Sequence, residues 1–175
     1  MIALNSNCGT YSFNGSSTGC QVGSPQEVWL KADLAANPKS CKLAYWHIPR
    51  FSSGNTHHND ATSDTIYTAF WDDLYAAGTD IVLNGHDHDY ERFQPLNPVG
   101  AIDATRGITE FVVGTGGKNI YSFASKVKGS ASQGTGFGVL KLSLHVSSFD
   151  YEYISAPGTT IVDSGSGQCH SSNTP

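Results

Sequence analysis

The chain has 175 residues and a net charge of −5, with 10 Lys and Arg residues against 15 Asp and Glu residues. This length suits one domain with a hydrophobic core, or a piece of a larger protein. The negative charge and the lack of a basic run exclude nucleic acid and anionic membranes as main partners, so we expect a small ligand. No apolar stretch reaches the roughly 18 residues of a membrane span, and no export signal follows Met1.

The four cysteines are Cys8, Cys20, Cys41 and Cys169. Their even number, without a CxxC pair, in a chain rich in Gly, Ser, Thr and Asn favours an oxidising compartment, extracellular or periplasmic. Four cysteines allow three pairings. We prefer Cys8–Cys20, which closes a short polar loop, with Cys41–Cys169 holding the C-terminus. Four free thiols are the alternative.

The first part of the chain predicts a short strand and then a helix. Residues 2–5 read as a buried strand that begins at the first residue, and we expect a cut edge there. Ser24 is placed as an N-cap, Pro25 at the first helical position, and Glu27 completes a capping box. The helix is expected to end at residues 37–38, Asn-Pro.

Two more strands enclose a second predicted helix. The strands are expected at residues 43–46 and 80–83, and the helix where Ile66, Phe70 and Leu74 recur at helical spacing, with Gly78 just past its end. Continuous apolar strands that alternate with helices are typical of an α/β fold with a parallel sheet covered on both faces. Functional residues then lie at the carboxyl ends of the strands.

After residue 108 the pattern changes to strands without helices. Residues 109–113 predict one strand, and the alternating runs 139–146 and 149–153 predict an antiparallel hairpin. The glycine-rich residues 129–138 are predicted to form a loop. We therefore divide the chain into an α/β part, residues 1–107, and a mainly antiparallel β part, residues 108–175.

Three histidines follow two of the predicted strands. His47 ends one strand, and His86 and His88 lie just after the next, in Gly-His-Asp-His. A lone histidine is usually structural, but three at one sheet edge predict a metal site, because imidazole binds zinc, iron and manganese. A turn after glycine lets the last two rings diverge toward two neighbouring ions. Asp87 and Asp89 are candidate hydrogen-bond partners of the ligands.

Residues 45–51, Tyr-Trp-His-Ile-Pro-Arg-Phe, and 84–92, Asn-Gly-His-Asp-His-Asp-Tyr-Glu-Arg, resemble the last two metal-binding motifs of calcineurin-like metallophosphoesterases, including purple acid phosphatases. The similarity to secreted bacterial phosphatases of this family spans nearly the whole chain. It implies the C-terminal portion of an αββα sandwich. It also implies that His47 and His86 share one metal ion, iron, zinc or manganese, and that His88 binds its neighbour.

The resemblance implies metal-dependent hydrolysis of phosphoric esters in the parent family, in which metal-bound hydroxide attacks phosphorus. His57 or His58 falls where purple acid phosphatases carry a histidine that contacts phosphate or protonates the leaving group. Arg50 and Arg92 are candidate phosphate contacts, since guanidinium pairs bidentately with phosphate oxygens. Ion pairs with nearby acids, namely Asp87, Asp89 or Glu91, are the alternative for both arginines.

The family's earlier motifs, which include the bridging aspartate, have no counterpart in this sequence and are expected before Met1. Without that carboxylate two cations would repel each other, so we do not expect a complete binuclear centre from this chain alone. Two alternatives to a phosphatase remain open. One is a non-catalytic metal-binding or structural fragment, which could self-associate or pair with the missing N-terminal half. The other is a single-metal hydrolase of relaxed specificity.

Overall fold

A computed structural model describes residues 1–7, 19–38, 41–56 and 67–170. Within these residues the strands are β1 (Ile2–Ala3), β2 (Leu43–Tyr45), β3 (Ile81–Asn84), β4 (Tyr90–Phe93), β5 (Thr109–Val113), β6 (Ser130–Gly134), β7 (Gly138–Leu144), β8 (Ser148–Ser155) and β9 (Ser164–Gln168). The helices are α1 (Pro25–Ala36) and α2 (Thr68–Ala76). Six strands form one sheet in the order β1-β2-β3-β5-β4-β6, and β7-β8-β9 form a second.

The predicted α/β fold is confirmed. Strands β1, β2, β3 and β5 run parallel, and their apolar runs are buried as a sheet covered on both faces requires. Strand β4 extends this sheet antiparallel to β5, and β6 pairs antiparallel with β4 at the edge. The predicted hairpin is also confirmed, since β7 and β8 pair antiparallel from Gly138 and Ser155 to Leu144 and Phe149. The proposed division of the chain at residue 107 stays a prediction.

Helix α1 begins as its sequence predicts. The Ser24 hydroxyl accepts a hydrogen bond from the Glu27 backbone N–H at 3.2 Å. The Glu27 carboxylate reaches back to the N–H of Gly23 at 3.1 Å, rather than to that of Ser24. The first bond satisfies a backbone donor that the first helical turn leaves without a partner, and the second fixes the residue before the cap. Leu30 and Leu34 then face the core.

We expect Ser24→Ala to lower the free energy of unfolding by about 1 kcal/mol, because the N–H of Glu27 loses its acceptor. Urea denaturation followed by circular dichroism measures the change. Ser166→Ala, at an exposed serine of β9, is the matched control and should leave the midpoint unchanged. Equal midpoints for the two variants would contradict the capping role.

One prediction about the β part is wrong. Residues 129–138 were expected to form a loop, but β6 lies among them and pairs with β4, with Glu91 opposite Gln133. The apolar residues of the predicted hairpin differ in how deeply they are buried. Leu140 and Leu142 do pack against the core, whereas Leu144 and Val146 are 54% and 95% exposed. The second sheet therefore covers the first with only part of its length.

The core has a separate cluster on each face of the six-stranded sheet. One lies under the helices and contains Leu30, Phe70 and Trp71. The other lies between the two sheets and contains Phe111 and Phe149. Burial of such side chains stabilises the fold by roughly 1.5–3 kcal/mol each. This packing makes the six-stranded sheet the rigid support of the loops at its edges.

A disulfide ties the β part to the α/β part. The predicted disulfide between Cys41 and Cys169 is present and joins residues 128 positions apart. Cys20 is also disulfide-bonded. Its predicted partner, Cys8, lies outside the described residues. Neither helix that the structure describes is long and apolar enough to cross a membrane.

Candidate metal centre

The ends of β2 and β3 bring His47 and His86 together. The two strands pair in parallel register, and the Gly85 backbone N–H donates to the His47 carbonyl at 3.0 Å just beyond them. The Asn84 side chain adds a hydrogen bond to the Trp46 carbonyl at 3.0 Å. Nε2 of His47 consequently lies 3.2 Å from Nδ1 of His86. The carboxyl edge of the sheet therefore presents two converging imidazoles, at the place where α/β sheets bind ligands.

The spacing of this histidine pair fits two ligands of one metal ion. Two nitrogens bound to a tetrahedral ion at about 2.0–2.1 Å lie about 3.3 Å apart, close to the 3.2 Å observed. His86 has a φ of 62°, which is uncommon for a residue other than glycine and typical of functional sites. Among the described residues no group of three or more His, Cys, Asp or Glu side chains has ligand geometry. The described residues thus contain a histidine pair with the spacing of two metal ligands, and metal binding by this pair stays a prediction.

Asn119 and Tyr121 hold the imidazole ring of His88 in place. Nδ1 of His88 lies 2.8 Å from the carbonyl oxygen of Asn119. A carbonyl only accepts hydrogen bonds, so Nδ1 carries the proton and Nε2 of the neutral ring keeps its lone pair. The ring also stacks on Tyr121, with 4.1 Å between centroids. This arrangement is common for metal-binding histidines, whose second nitrogen donates to a carbonyl or carboxylate.

Four acidic side chains are fully buried beside the histidines: Asp87, Asp89, Glu91 and Glu110. Asp87 accepts a hydrogen bond from the Ser52 hydroxyl. Burial, together with the charges of Asp87 and Glu91, raises the pKa of Asp89 to about 8. Burial also raises the pKa of Glu110 to about 8, against the lowering effect of two backbone N–H donors. The loop after His47 thus packs on a strongly acidic interior.

Gly54 allows this loop to approach the acidic interior. A Cβ atom at position 54 would lie 2.6 Å from Cγ of Asp87, well inside contact distance. The N–H of Gly54 donates to the Ser52 hydroxyl at 2.9 Å, and the same hydroxyl bonds Asp87. The residue after Ser53 must therefore lack a side chain for the loop to lie against Asp87.

Arg92 forms an ion pair with Asp163 inside the protein. Its Nε and Nη2 atoms donate to the two carboxylate oxygens of Asp163 at 2.8 and 3.0 Å, and its guanidinium lies 4.9 Å from the Tyr151 ring centroid. The partner is thus Asp163, 71 residues along the chain, and none of the acids near Arg92 in sequence. The Tyr90 hydroxyl donates to Asp163 as well, at 2.7 Å. This cluster ties the six-stranded sheet to the segment before β9.

Of the remaining predicted site residues, the structure describes Arg50, which lies in the loop after His47. The Arg50 guanidinium donates to the Pro98 carbonyl at 3.3 Å and lies 4.8 Å from the Phe51 ring centroid. Its contact with phosphate stays a prediction, as does that of Arg92. His57 and His58 lie outside the described residues, so their substrate role also stays a prediction.

A cavity of about 360 Å³ lies at the opposite edge of the sheet, at the amino ends of β3 and β5. Asp80, Thr105, Gln168 and His170 contribute to its walls. None of the three candidate metal ligands lines it. The cavity is therefore separate from the chemistry that the histidines indicate.

No protein-family model matches this sequence. Purple acid phosphatase 15 of Arabidopsis thaliana is 38% identical over 100 residues, which cover 53% of this chain and 17% of that protein. Purple acid phosphatase 18 of the same plant is 35% identical over 101 residues, which cover 53% of this chain and 23% of that protein. Over about half its length the chain is a homologue of the purple acid phosphatases. These are calcineurin-like metallophosphoesterases, as the histidine motifs indicated.

The fold agrees with this relationship. Purple acid phosphatase PPD1 from yellow lupin (Lupinus luteus) seeds superposes with a TM-score of 0.72 over 90% of this chain and 32% of that one, at 19% identity. The chain thus has the fold of part of a purple acid phosphatase. It spans less than a quarter of the length of the two plant relatives it matches. Those relatives belong to a family of dinuclear metal enzymes, which agrees with metal ions as cofactors in general.

Proposed function

We propose that this purple acid phosphatase homologue supplies His47, His86 and His88 to the metal centre of a phosphoric ester hydrolase. The observation that carries the proposal is the 3.2 Å approach of His47 Nε2 to His86 Nδ1 at the carboxyl edge of the sheet. Ions of iron, zinc or manganese bound there would act as a Lewis acid and lower the pKa of a bound water. The homology to phosphatases supports this reaction class.

Metal binding, phosphate binding and protonation of the leaving group would fall to different residues. His88 would present Nε2, because its Nδ1 proton is donated to Asn119. His57 or His58 would contact phosphate or protonate the leaving alkoxide. A phosphate contact by Arg92 would require it to leave Asp163, so Arg50 is the better candidate for binding the ester. A small phosphate ester is the proposed substrate.

We further propose that the protein works outside the cytoplasm. The Cys41–Cys169 disulfide and the disulfide-bonded Cys20 support an oxidising compartment, extracellular or periplasmic. Self-association, or pairing with another segment of a longer protein, is part of the same proposal. Sedimentation measurements at several protein concentrations would test self-association.

The experiment that tests the proposed function is metal analysis of the purified chain together with p-nitrophenyl phosphate hydrolysis, before and after chelation. We expect bound metal in the wild type, loss of metal in His86→Ala and a fall in turnover of about 100-fold or more, because a direct ligand is removed. His145→Ala is the matched control, since His145 is half exposed and pairs with Asp150 on the hairpin. It should keep both metal and turnover.

Each alternative predicts a different result. Bound metal without turnover would favour a non-catalytic metal-binding fragment. Turnover with one ion per chain would favour a single-metal hydrolase of relaxed specificity. Turnover that survives both chelation and His86→Ala would contradict metal-dependent hydrolysis by this site.

A further inference from the structure

Two buried glutamates hold the segment that follows His47, residues 50–54, which we name the anchored segment. Glu110 on β5 accepts hydrogen bonds from the backbone N–H groups of Arg50 and Phe51, at 2.9 and 3.1 Å. Glu91 on β4 accepts from the N–H and the hydroxyl of Ser53, at 2.7 and 2.6 Å. Hydrogen bonds of buried groups are electrostatically stronger than those of groups in contact with water. The anchored segment is therefore fixed to the sheet.

The anchored segment in turn holds residues 119–124, which we name the carbonyl segment. The Ala124 N–H donates to the Ser53 carbonyl at 2.8 Å, and the Asn55 N–H donates to the Ser122 carbonyl at 2.9 Å. Gly54 and Phe123 form an antiparallel bridge between these two bonds. The two segments thus pair like a short piece of sheet, and the position of one sets the position of the other.

The carbonyl segment orients His88. Its Asn119 carbonyl accepts the hydrogen bond from Nδ1 of His88 at 2.8 Å. The Tyr121 N–H donates to the His88 carbonyl at 2.9 Å, and the Tyr121 ring stacks on the imidazole. Ser53 and the carbonyl segment therefore connect Glu91 to the ring of His88 through bonds that the structure describes throughout.

The environment of Glu91 requires an acceptor at both of its oxygens. One oxygen accepts from the Ser53 N–H, and the other accepts from the Ser53 hydroxyl and from the Gln133 amide at 2.9 Å. The Ser53 hydroxyl itself accepts from the Val127 N–H at 2.9 Å, so its own proton is directed at Glu91. A glutamine at position 91 would turn an NH₂ group toward one of these donors. The pocket thus distinguishes a carboxylate from its isosteric amide.

We propose that Glu91 is a positioning residue for His88, acting through Ser53 and the carbonyl segment to keep the imidazole as the Nδ1–H tautomer, which leaves Nε2 as the nitrogen that would bind a metal ion. Glu91 is fully buried and bonded to protein donors, so it acts through these bonds and not through the ester. The role of His88 as a ligand rests on the proposed function. The tautomer of His88 in the metal-free chain does not.

The test compares Glu91→Gln, Ser53→Ala and wild type by long-range ¹⁵N NMR of the imidazoles without metal. Zinc affinity is then measured by competition with a chromophoric chelator. We expect one Nδ1–H tautomer of His88 in the wild type and a mixture in both variants, with zinc binding weakened about tenfold. Ser53→Ala removes the hydroxyl that bonds Glu91 and Val127 but keeps the backbone hydrogen bond from Ser53 to Glu91, and so guards against a Glu91 variant that fails to fold. Glu27→Gln is the control, because Glu27 is a buried glutamate that bonds the Gly23 N–H at the start of α1.

An unchanged Nδ1–H tautomer of His88, with zinc affinity within about twofold of wild type in both variants, would overturn the positioning role. This conclusion would stand even if both variants were less stable than the wild type, because Glu27→Gln is also expected to lower stability. A wild-type chain that binds no zinc would count against the proposed function alone. The tautomer comparison in the metal-free chain would still decide the role of Glu91.

Discussion

Replacing Cys41 and Cys169 together by serine should lower the free energy of unfolding by roughly 3–5 kcal/mol. The disulfide joins the residue two positions before β2 to the residue just after β9 and closes a loop between residues 128 positions apart. Such a loop restricts the unfolded chain strongly, and its loss increases the entropy of that state. Urea denaturation monitored by tryptophan fluorescence measures the change.

Adding reductant to the wild type is not an equivalent experiment, because Cys20 is disulfide-bonded as well. The double-serine variant with and without reductant separates the two contributions. The Cys169 N–H donates to Ser147, and the His170 N–H donates to Asp80 at 2.6 Å, so these bonds should persist in the variant. An unchanged urea midpoint in the double variant would show that they hold the C-terminal strand without the disulfide.

Asp163→Ala should cost about 3–5 kcal/mol, because it leaves a buried guanidinium without its partner. The side chains of Arg92 and Asp163 are 19% and 8% exposed, and the Tyr90 hydroxyl loses the same acceptor. The ion pair joins the six-stranded sheet to the segment before β9, so we expect thermal unfolding at a lower temperature in a single transition. Glu152→Gln is the control, since its pair with Lys141 is exposed and should contribute under about 1 kcal/mol.

The same cluster predicts a pH dependence of stability. Burial alone would raise the pKa of Asp163, but hydrogen bonds from Arg92 and Tyr90 lower it below its ordinary value. A group with a lowered folded-state pKa stabilises the fold above its unfolded pKa, about 3.9 for aspartate, and loses this contribution as the pH falls. The stability difference between wild type and Asp163→Asn should therefore be largest near neutral pH and shrink below about pH 4. A difference that grows on acidification would contradict this assignment.

Local patterns in the sequence determine the parallel part of the fold and the place of the histidines. The cap at Ser24, the apolar runs of β2 and β3, and Gly78 with its φ of 71° each act within a few residues, so they can be read without a structure. His47 and His86 follow two strands that pair in parallel, and parallel strands bring their carboxyl ends to one edge. The pairing of Cys41 with Cys169 could be predicted because few pairings were available.

Only the tertiary structure decided the contacts that join distant segments. Strands β6 and β9, Ser-Ala-Ser-Gln-Gly and Ser-Gly-Ser-Gly-Gln, have little intrinsic strand preference and form because neighbouring strands supply their hydrogen bonds. In β9, Gly165 lacks a side chain where the Tyr151 ring packs. Arg92 bonds Asp163, which is 71 residues away in the sequence, and Glu91 bonds Ser53, which is 38 residues away. No local periodicity encodes such partners, because their free energy comes from burial and hydrogen bonding that exist only once the sheets are packed.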